Sequence, residues 1–178
     1  ALREIDQTLK VVKYAYAQNE ERDILTKLKN QELLPSDLVF TVNILDSSGK
    51  VVATTHPEDT DVMDLDENFW STSRSDSLIV SPPQKSRSSG EWILRFARDL
   101  RTASGEFAGV VTVTTEALYF VSGYDTTKMG AHGVLGLIGP DGIFRARRTG
   151  DTFSAGDAVD FPKNFLADTG EDVHGAVR

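Results

Sequence analysis

Cysteine is absent from this sequence, which removes disulfides, thiolate metal sites and cysteine nucleophiles at one stroke. The absence does not fix a compartment, because disulfides are optional even where the surroundings are oxidising. Long apolar runs are missing too: stretches such as Val110 to Val113 fall far short of the roughly 20 residues that span a bilayer. Positive charge is in deficit. The net charge is −8 at pH 7 and the isoelectric point is near 4.9, so the phosphate attraction that supplies most nucleic-acid affinity is lacking, and no nucleic-acid partner is expected. Histidine is scarce, and His56, His132 and His174 stand in no paired motif. No GxSxG, HExxH, Walker or dinucleotide fingerprint occurs. The chain is therefore expected to be no enzyme and to hold no cofactor.

What is present fits a folded domain: 39% of the residues are hydrophobic and 26% charged. Leu2, Ile5, Leu9, Val12 and Tyr16 recur at helical spacing with no Ser, Thr, Asp or Asn before them as a cap. The helix reads as cut rather than started, as in a chain that begins just past a membrane span; the plainer reading is an uncapped terminal helix. A second helical stretch with Ile24, Leu25 and Leu28 stops near Pro35, because proline disfavours the helical state of the residue before it.

Composition then turns β-rich. "DLVFTVNILD", the turn "SSGK" and "VVATT" predict a hairpin over 38–55. Residues 56–77 form an acidic connection with room for one or two helical turns. "SLIVS", "EWILRFARDL" and "EFAGVVTVTTEA" supply three more strands, and "LYFVSGY" a short helix. The expected fold is α+β: a long helix over one face of a five-stranded antiparallel sheet. The segment "LGLIGPDGIFRARRT" repeats the pattern of "VNILDSSGKVVATT", aligning Gly142 with Gly49 and Ala146 with Ala53 at an offset of about 93 residues. A second module therefore starts near Gly130, with too little chain for five more strands.

Candidate chemistry falls in two places. The run from Asp59 to Glu67 gathers acids but lacks the sharp-turn glycine and spaced bidentate carboxylate of a calcium loop, so it reads as a solvated acidic loop. "SPPQKSRSSGEWILRFARDL" is richer. Strand alternation sends Trp92, Leu94, Phe96 and Arg98 to one face and Ile93, Arg95, Ala97 and Asp99 to the other. An aromatic beside a guanidinium suits a pocket for a carboxylate or other small anion. Arg87 precedes this strand, while Phe69, Trp70 and Arg74 lie in the connection that could close over it. The plainer reading makes both tryptophans core residues and the arginines surface or ion-paired groups.

The pieces "DENFWSTSR", "SGEW" leading into a strand, "RDL" at its end, "GEFAGVV" opening the next, the Tyr119–Phe120 pair and "GAHGVLGLIGPDGIFRAR" together resemble the double Cache (PAS-like) extracytoplasmic sensor domains of bacterial membrane receptors. The resemblance is closest to those placed ahead of diguanylate cyclase, phosphodiesterase or histidine kinase modules. It implies an N-terminal signalling helix over 1–34, a membrane-distal sensor module over 35–125 and a partial membrane-proximal module over 130–178. It further implies a periplasmic portion of an inner-membrane protein, anchored by spans outside this chain, homodimeric in the full receptor. Occupancy by a small molecule would pass through the helix to a cytoplasmic output domain. The alternative within the same fold is a ligand-free interaction or dimerisation module.

The implied site joins Phe69, Trp70, Arg74, Arg87, Trp92, Arg98 and Thr114. Amino-acid-binding relatives hold the carboxylate with an arginine and a tryptophan near the start of the fourth strand and the ammonium with an aspartate on the fifth. Arg87 and Trp92 stand near the first position at wider spacing, and Thr114 stands where the aspartate would be. A threonine cannot neutralise an ammonium. Phe69 and Trp70 match the aromatic pair of the cap, while Ser73 departs from the histidine that often follows it.

Overall fold

The computed structural model describes residues 2–19, 23–34, 39–58, 66–124, 130 and 133–159. Helix α1 spans Leu2–Asn19 and α2 spans Ile24–Asn30. The N-terminal helical region is thus a pair of helices rather than one rod. Along α1, Ile5, Leu9 and Val12 form a stripe with no solvent exposure, and the helix lies across β5 and β6. None of the described helices is long and apolar enough to cross a membrane.

Strands β1 (Thr41–Asp46), β2 (Val51–Thr54), β3 (Ile79–Val80), β4 (Gln84–Lys85), β5 (Trp92–Arg101) and β6 (Phe107–Glu116) form one antiparallel sheet in the order β2-β1-β6-β5-β3, with β4 also on β5. The expected strand "SLIVS" is shortened to β3 at its centre, and a further piece of the same edge, β4, follows it. Ile79 and Val80 pair with Ala97 and Phe96, Gln84 and Lys85 pair with Ile93 and Trp92, and Pro82 and Pro83 stand between them. Proline has no N–H to give a ladder, so such an interruption is tolerable only at an edge. Ser81 bridges part of the gap, its N–H donating to the Arg95 carbonyl at 2.8 Å and its Oγ accepting from the Arg95 N–H at 3.0 Å.

Register decides the two faces. Val42, Val113 and Phe96 lie opposite one another and belong to the main core with Ile5, Leu9, Val12, Leu94 and Leu100. The other face carries a row Thr41–Thr114–Arg95 and a row Asn43–Thr112–Ala97. Helix α3 (Glu67–Thr72), capped by Asp66 Oδ1 accepting from the Asn68 N–H at 2.7 Å, lies on this second face, where Phe69 packs with Ala97 and Val110.

A 3-10 helix, Ala117–Phe120, leads to a second sheet, β7 (Val134–Ile138), β8 (Phe144–Thr149) and β9 (Thr152–Ser154). Its hairpin repeats that of β1 and β2. Ile44 pairs with Ala53 and the register shifts at Ile44/Leu45; Leu137 pairs with Ala146 and the register shifts at Leu137/Ile138. Gly49 and Gly142 adopt φ of 85° and 74° at the corresponding turns, a region glycine enters without steric cost. Ala146, Leu135 and Leu137 join the main core. The segment after Val159, expected to continue the second module, lies outside the described residues, as do His132, His174 and positions 59–65 of the acidic run.

Candidate functional site

The face of the sheet away from α1 is polar where a packed core would be apolar. Asn43 is 1% exposed, Thr112 2% and Arg95 4%. The Asn43 side chain has no hydrogen-bond partner for Oδ1 or Nδ2 among the described residues. Burying an amide without partners costs about 1–3 kcal/mol. Arg95 extends its guanidinium to Gln84 Oε1. Sequence alternation already put Arg95 on the face opposite Trp92 and Arg98, but which face α1 would cover was not written in the strand.

Next to these rows is a cavity of about 470 Å³, lined by Thr41, His56, Glu58, Ser86, Ile93, Thr114 and Glu116 among others. Its walls are fixed by local bonds. The Val42 N–H donates to Thr55 Oγ1 at 2.9 Å, Thr55 Oγ1 lies 3.0 Å from His56 Nδ1, and the His56 N–H donates to Thr54 Oγ1 at 3.1 Å. This clamps the chain leaving β2 over the start of β1. On the other rim the Ser89 N–H donates to Ser86 Oγ at 3.0 Å, closing the turn before β5.

The structure separates the residues expected to act together. Thr114 lines the cavity, and exposed Arg87 lies in the turn between Ser86 and Ser88, both of them lining residues. Phe69, Trp70 and Arg74 are on the same face but toward its other end. Trp70 meets the Phe107 ring edge-on with centroids 6.4 Å apart, and the Arg74 guanidinium lies 4.4 Å above that same ring. Trp92 is on the α1 side, packed against the main core, with the Lys85 ammonium 4.7 Å from its ring. Arg98 is also on that side, donating from Nε to Asp6 Oδ1 at 2.8 Å. Asn43, Arg95, His56 and Glu116 were not singled out from sequence; a period-2 count of β1 and β6 beside β5 places Asn43, Arg95 and Glu116 on one face.

One edge of the sheet ties α3 to α1. In the strand-edge segment after α3, Asp76 accepts from Lys13 Nζ with Oδ1 at 2.5 Å and from Arg98 with its carbonyl oxygen. Lys13 also bonds Asp99, which is fully buried and held from the other side by Arg101 Nε at 2.6 Å. Burial pushes the Asp6 carboxyl up, but hydrogen bonds from Lys10 and Arg98 outweigh it and hold Asp6 below the usual carboxylate range. The Lys13 hydrogen bond likewise lowers Asp76.

No protein-family model and no curated protein matches the chain. Solved structures do. The extracellular domain of the histidine kinase rpHK1S-Z16 is 27% identical with a TM-score of 0.63, matching 84% of this chain and 65% of that one. The ligand-binding domain of the Pseudomonas aeruginosa PAO1 amino-acid chemoreceptor PctB, in complex with L-Gln, is 18% identical with a TM-score of 0.58, matching 81% and 59%. That of the Pseudomonas fluorescens chemoreceptor CtaA, in complex with L-valine, is 18% identical with a TM-score of 0.56, matching 76% and 61%. The chain thus spans about three-fifths of the length of these domains. Its fold is that of the extracellular ligand-binding domains of histidine kinases and amino-acid chemoreceptors, consistent with the Cache-type sensor domain that its sequence resembles.

Proposed function

We propose that this chain is the small-molecule sensing part of a membrane receptor, with its ligand bound on the sheet face opposite α1. The observation that carries the reading is Asn43, a buried amide without partners beside a cavity of about 470 Å³. Such a group is costly in an empty fold and useful once a ligand completes its bonds. The extracellular neighbours support placement outside the cytoplasm, and for this chain we propose the periplasmic face of an inner membrane.

Transmission follows from the edge contacts. A ligand that favours one position of α3 and the segment after it changes the positions of Asp76 and Asp99, and Lys13 and Arg98 carry that change to α1. A ligand can bias this equilibrium only by its difference in affinity for the two positions. The output domain reached through α1 is a diguanylate cyclase, phosphodiesterase or histidine kinase module outside this chain, and the chain itself performs no catalysis.

A second reading has its own observation. An apolar groove between α1 and α2 is lined by Val11, Ala15, Ile24 and Leu28, with Tyr14 72% and Leu33 55% exposed. This surface suits pairing with a second copy, as in the homodimer expected of the full receptor, and would persist in a module that binds nothing.

Thermal unfolding across carboxylates, amino acids, amines and purines tests the main reading. A ligand at about 100 times its dissociation constant adds roughly 2.7 kcal/mol to stability. An upward shift with one chemical class, abolished by filling the cavity with Thr114→Trp, is the expected result. A cooperatively folded protein that shifts with none of them favours the interaction module.

A further inference from the structure

The cavity at the end of β6 is walled by hydroxyl groups. Thr41, Ser86, Ser88, Ser89, Thr114 and Thr115 are half of its described lining residues. Some of these hydroxyls serve the fold: Ser86 Oγ accepts from the Ser89 N–H at 3.0 Å, and Ser89 Oγ accepts from the Glu91 N–H at 3.3 Å. Thr114 and Thr115 differ. They are 8% and 5% exposed, and neither hydroxyl makes a hydrogen bond among the described residues. Thr54 and Thr55, by contrast, are engaged: Thr55 Oγ1 accepts from the Val42 N–H and meets His56 Nδ1, and Thr54 Oγ1 accepts from the His56 N–H. A hydroxyl withdrawn from bulk water without a partner is a cost to the free fold, and a ligand with its own donors and acceptors removes it.

The sheet explains their placement. The β1–β6 ladder ends at Thr41–Thr114, while β6 stays paired with β5 as far as Glu116 and Ile93. The last residues of β6 therefore have a strand on one side and the cavity on the other, so that Thr114, Thr115 and Glu116 all line it although successive side chains alternate in direction. Apolar groups close the space behind them, with Phe40 3% and Ile93 5% exposed. The rim carries charge of both signs. Exposed Glu58 and Glu116 line the cavity, and exposed Arg87 stands between the lining residues Ser86 and Ser88. An anion is opposed by the carboxylates and a cation by the guanidinium, so a full charge gains little here. An uncharged ligand meets no such conflict, and the same carboxylates and guanidinium accept from and donate to its hydroxyls.

We propose that the ligand is an uncharged polyhydroxylated molecule of monosaccharide size, its hydroxyls completing the hydrogen bonds of Thr114 and Thr115 and its C–H face packed on Phe40 and Ile93. The inference rests on the sensing reading above and specifies its ligand. Each hydroxyl of a sugar or cyclitol is a donor and an acceptor at once, as a threonine hydroxyl is, so several of them on a carbon ring match a hydroxyl wall over an apolar floor. A space of about 470 Å³ lies within the range that small-molecule sites occupy.

The panel above is extended by D-glucose, D-galactose, D-ribose and myo-inositol, with D-glucuronate and D-glucosamine as charged analogues, each titrated by calorimetry into the whole chain. The expected result is binding of an uncharged member, weaker for both charged analogues. Thr114→Val keeps the side-chain shape and removes the hydroxyl; it is expected to lose about tenfold in affinity without a lower unfolding temperature of the free protein. Thr114→Ser keeps the hydroxyl and is expected to retain binding. A purely structural threonine would show the reverse, with stability lost in the valine variant and affinity kept. Binding of a sugar or cyclitol when no carboxylate, amino acid, amine or purine binds supports sensing and the inference together. Binding of one of those other classes with no polyol overturns the inference and leaves sensing intact. Tighter binding of a charged analogue than of glucose, or unchanged affinity in Thr114→Val, also overturns it. Binding of nothing in the extended panel removes both the inference and the sensing reading.

Discussion

At the scale of single residues, the arginines of β5 divide the labour of the domain. Arg98 clamps α1, with its guanidinium 2.7 Å from Asp6 and its side chain 13% exposed. Arg98→Met is expected to cost about 1.5–3 kcal/mol, the range for hydrogen bonds to charged groups, measured by chemical denaturation. An unchanged midpoint would show that the pair contributes nothing. Gly109 is the other sensitive point. Its φ is 150°, and a Cβ there would sit 2.0 Å from the Leu45 carbonyl oxygen. Gly109→Ala therefore forces β1 away from β6 and is expected to cost about 3 kcal/mol, the upper part of the overpacking range; a well-folded variant of wild-type stability would contradict the register described. The sequence alone divided Trp92, Leu94, Phe96 and Arg98 from Ile93, Arg95 and Ala97 correctly. It assigned the ligand to the set with Trp92 and Arg98, whereas the proposed site lies on the face of Arg95; the choice depends on where α1 lies, and a strand carries no record of its partner.

Among the elements, the boundaries of β5 and β6 were legible because long alternating runs end at polar turns, and α1 because its apolar stripe repeats at helical spacing. The edge of the sheet was legible only in part: "SLIVS" contains β3, while β4, beyond Pro82 and Pro83, was missed, each piece being held by only two pairs. The aromatic pair Phe69–Trp70 was found, but its neighbour Phe107, which stands at the start of a distant strand, was not. Lys13 shows how α1 is held to the rest. Lys13→Met leaves fully buried Asp99 with Arg101 and breaks the bond to Asp76, with an expected loss of about 2 kcal/mol. The acid response follows from the same contacts. Asp6, Asp76 and Asp141 are all lowered in the folded chain, so below the ordinary carboxylate value the unfolded chain binds more protons. Stability is then constant near neutrality and falls as pH drops below about 4. Urea midpoints between pH 7 and pH 3 measure this. Asp6→Asn is expected to flatten the fall, and a midpoint that rises on acidification would contradict the assignment of these ion pairs.

For the whole molecule, the repeat between the two hairpins is the feature that sequence and structure share most fully. Pairing of Ile44 with Ala53 and of Leu137 with Ala146, with a register shift directly after each, is what the alignment of Gly49 with Gly142 implies. The division into a distal and a proximal module is a proposal built on that repeat. The polar face was only partly legible, because Asn43, Thr112 and Arg95 are far apart in the chain and acquire meaning when three strands set them side by side. The proposed function requires the two faces to act as one unit, with the ligand on one and α1 on the other.

Amide hydrogen exchange of the chain, with and without the compound that most raises its unfolding temperature, probes that coupling of the two faces at both ends. Added protection is expected in 41–43, 93–97 and 112–116, together with a change in α1 around Lys10 and Lys13. Protection confined to the groove between α1 and α2, or protection of the sheet with α1 unaltered, would contradict it.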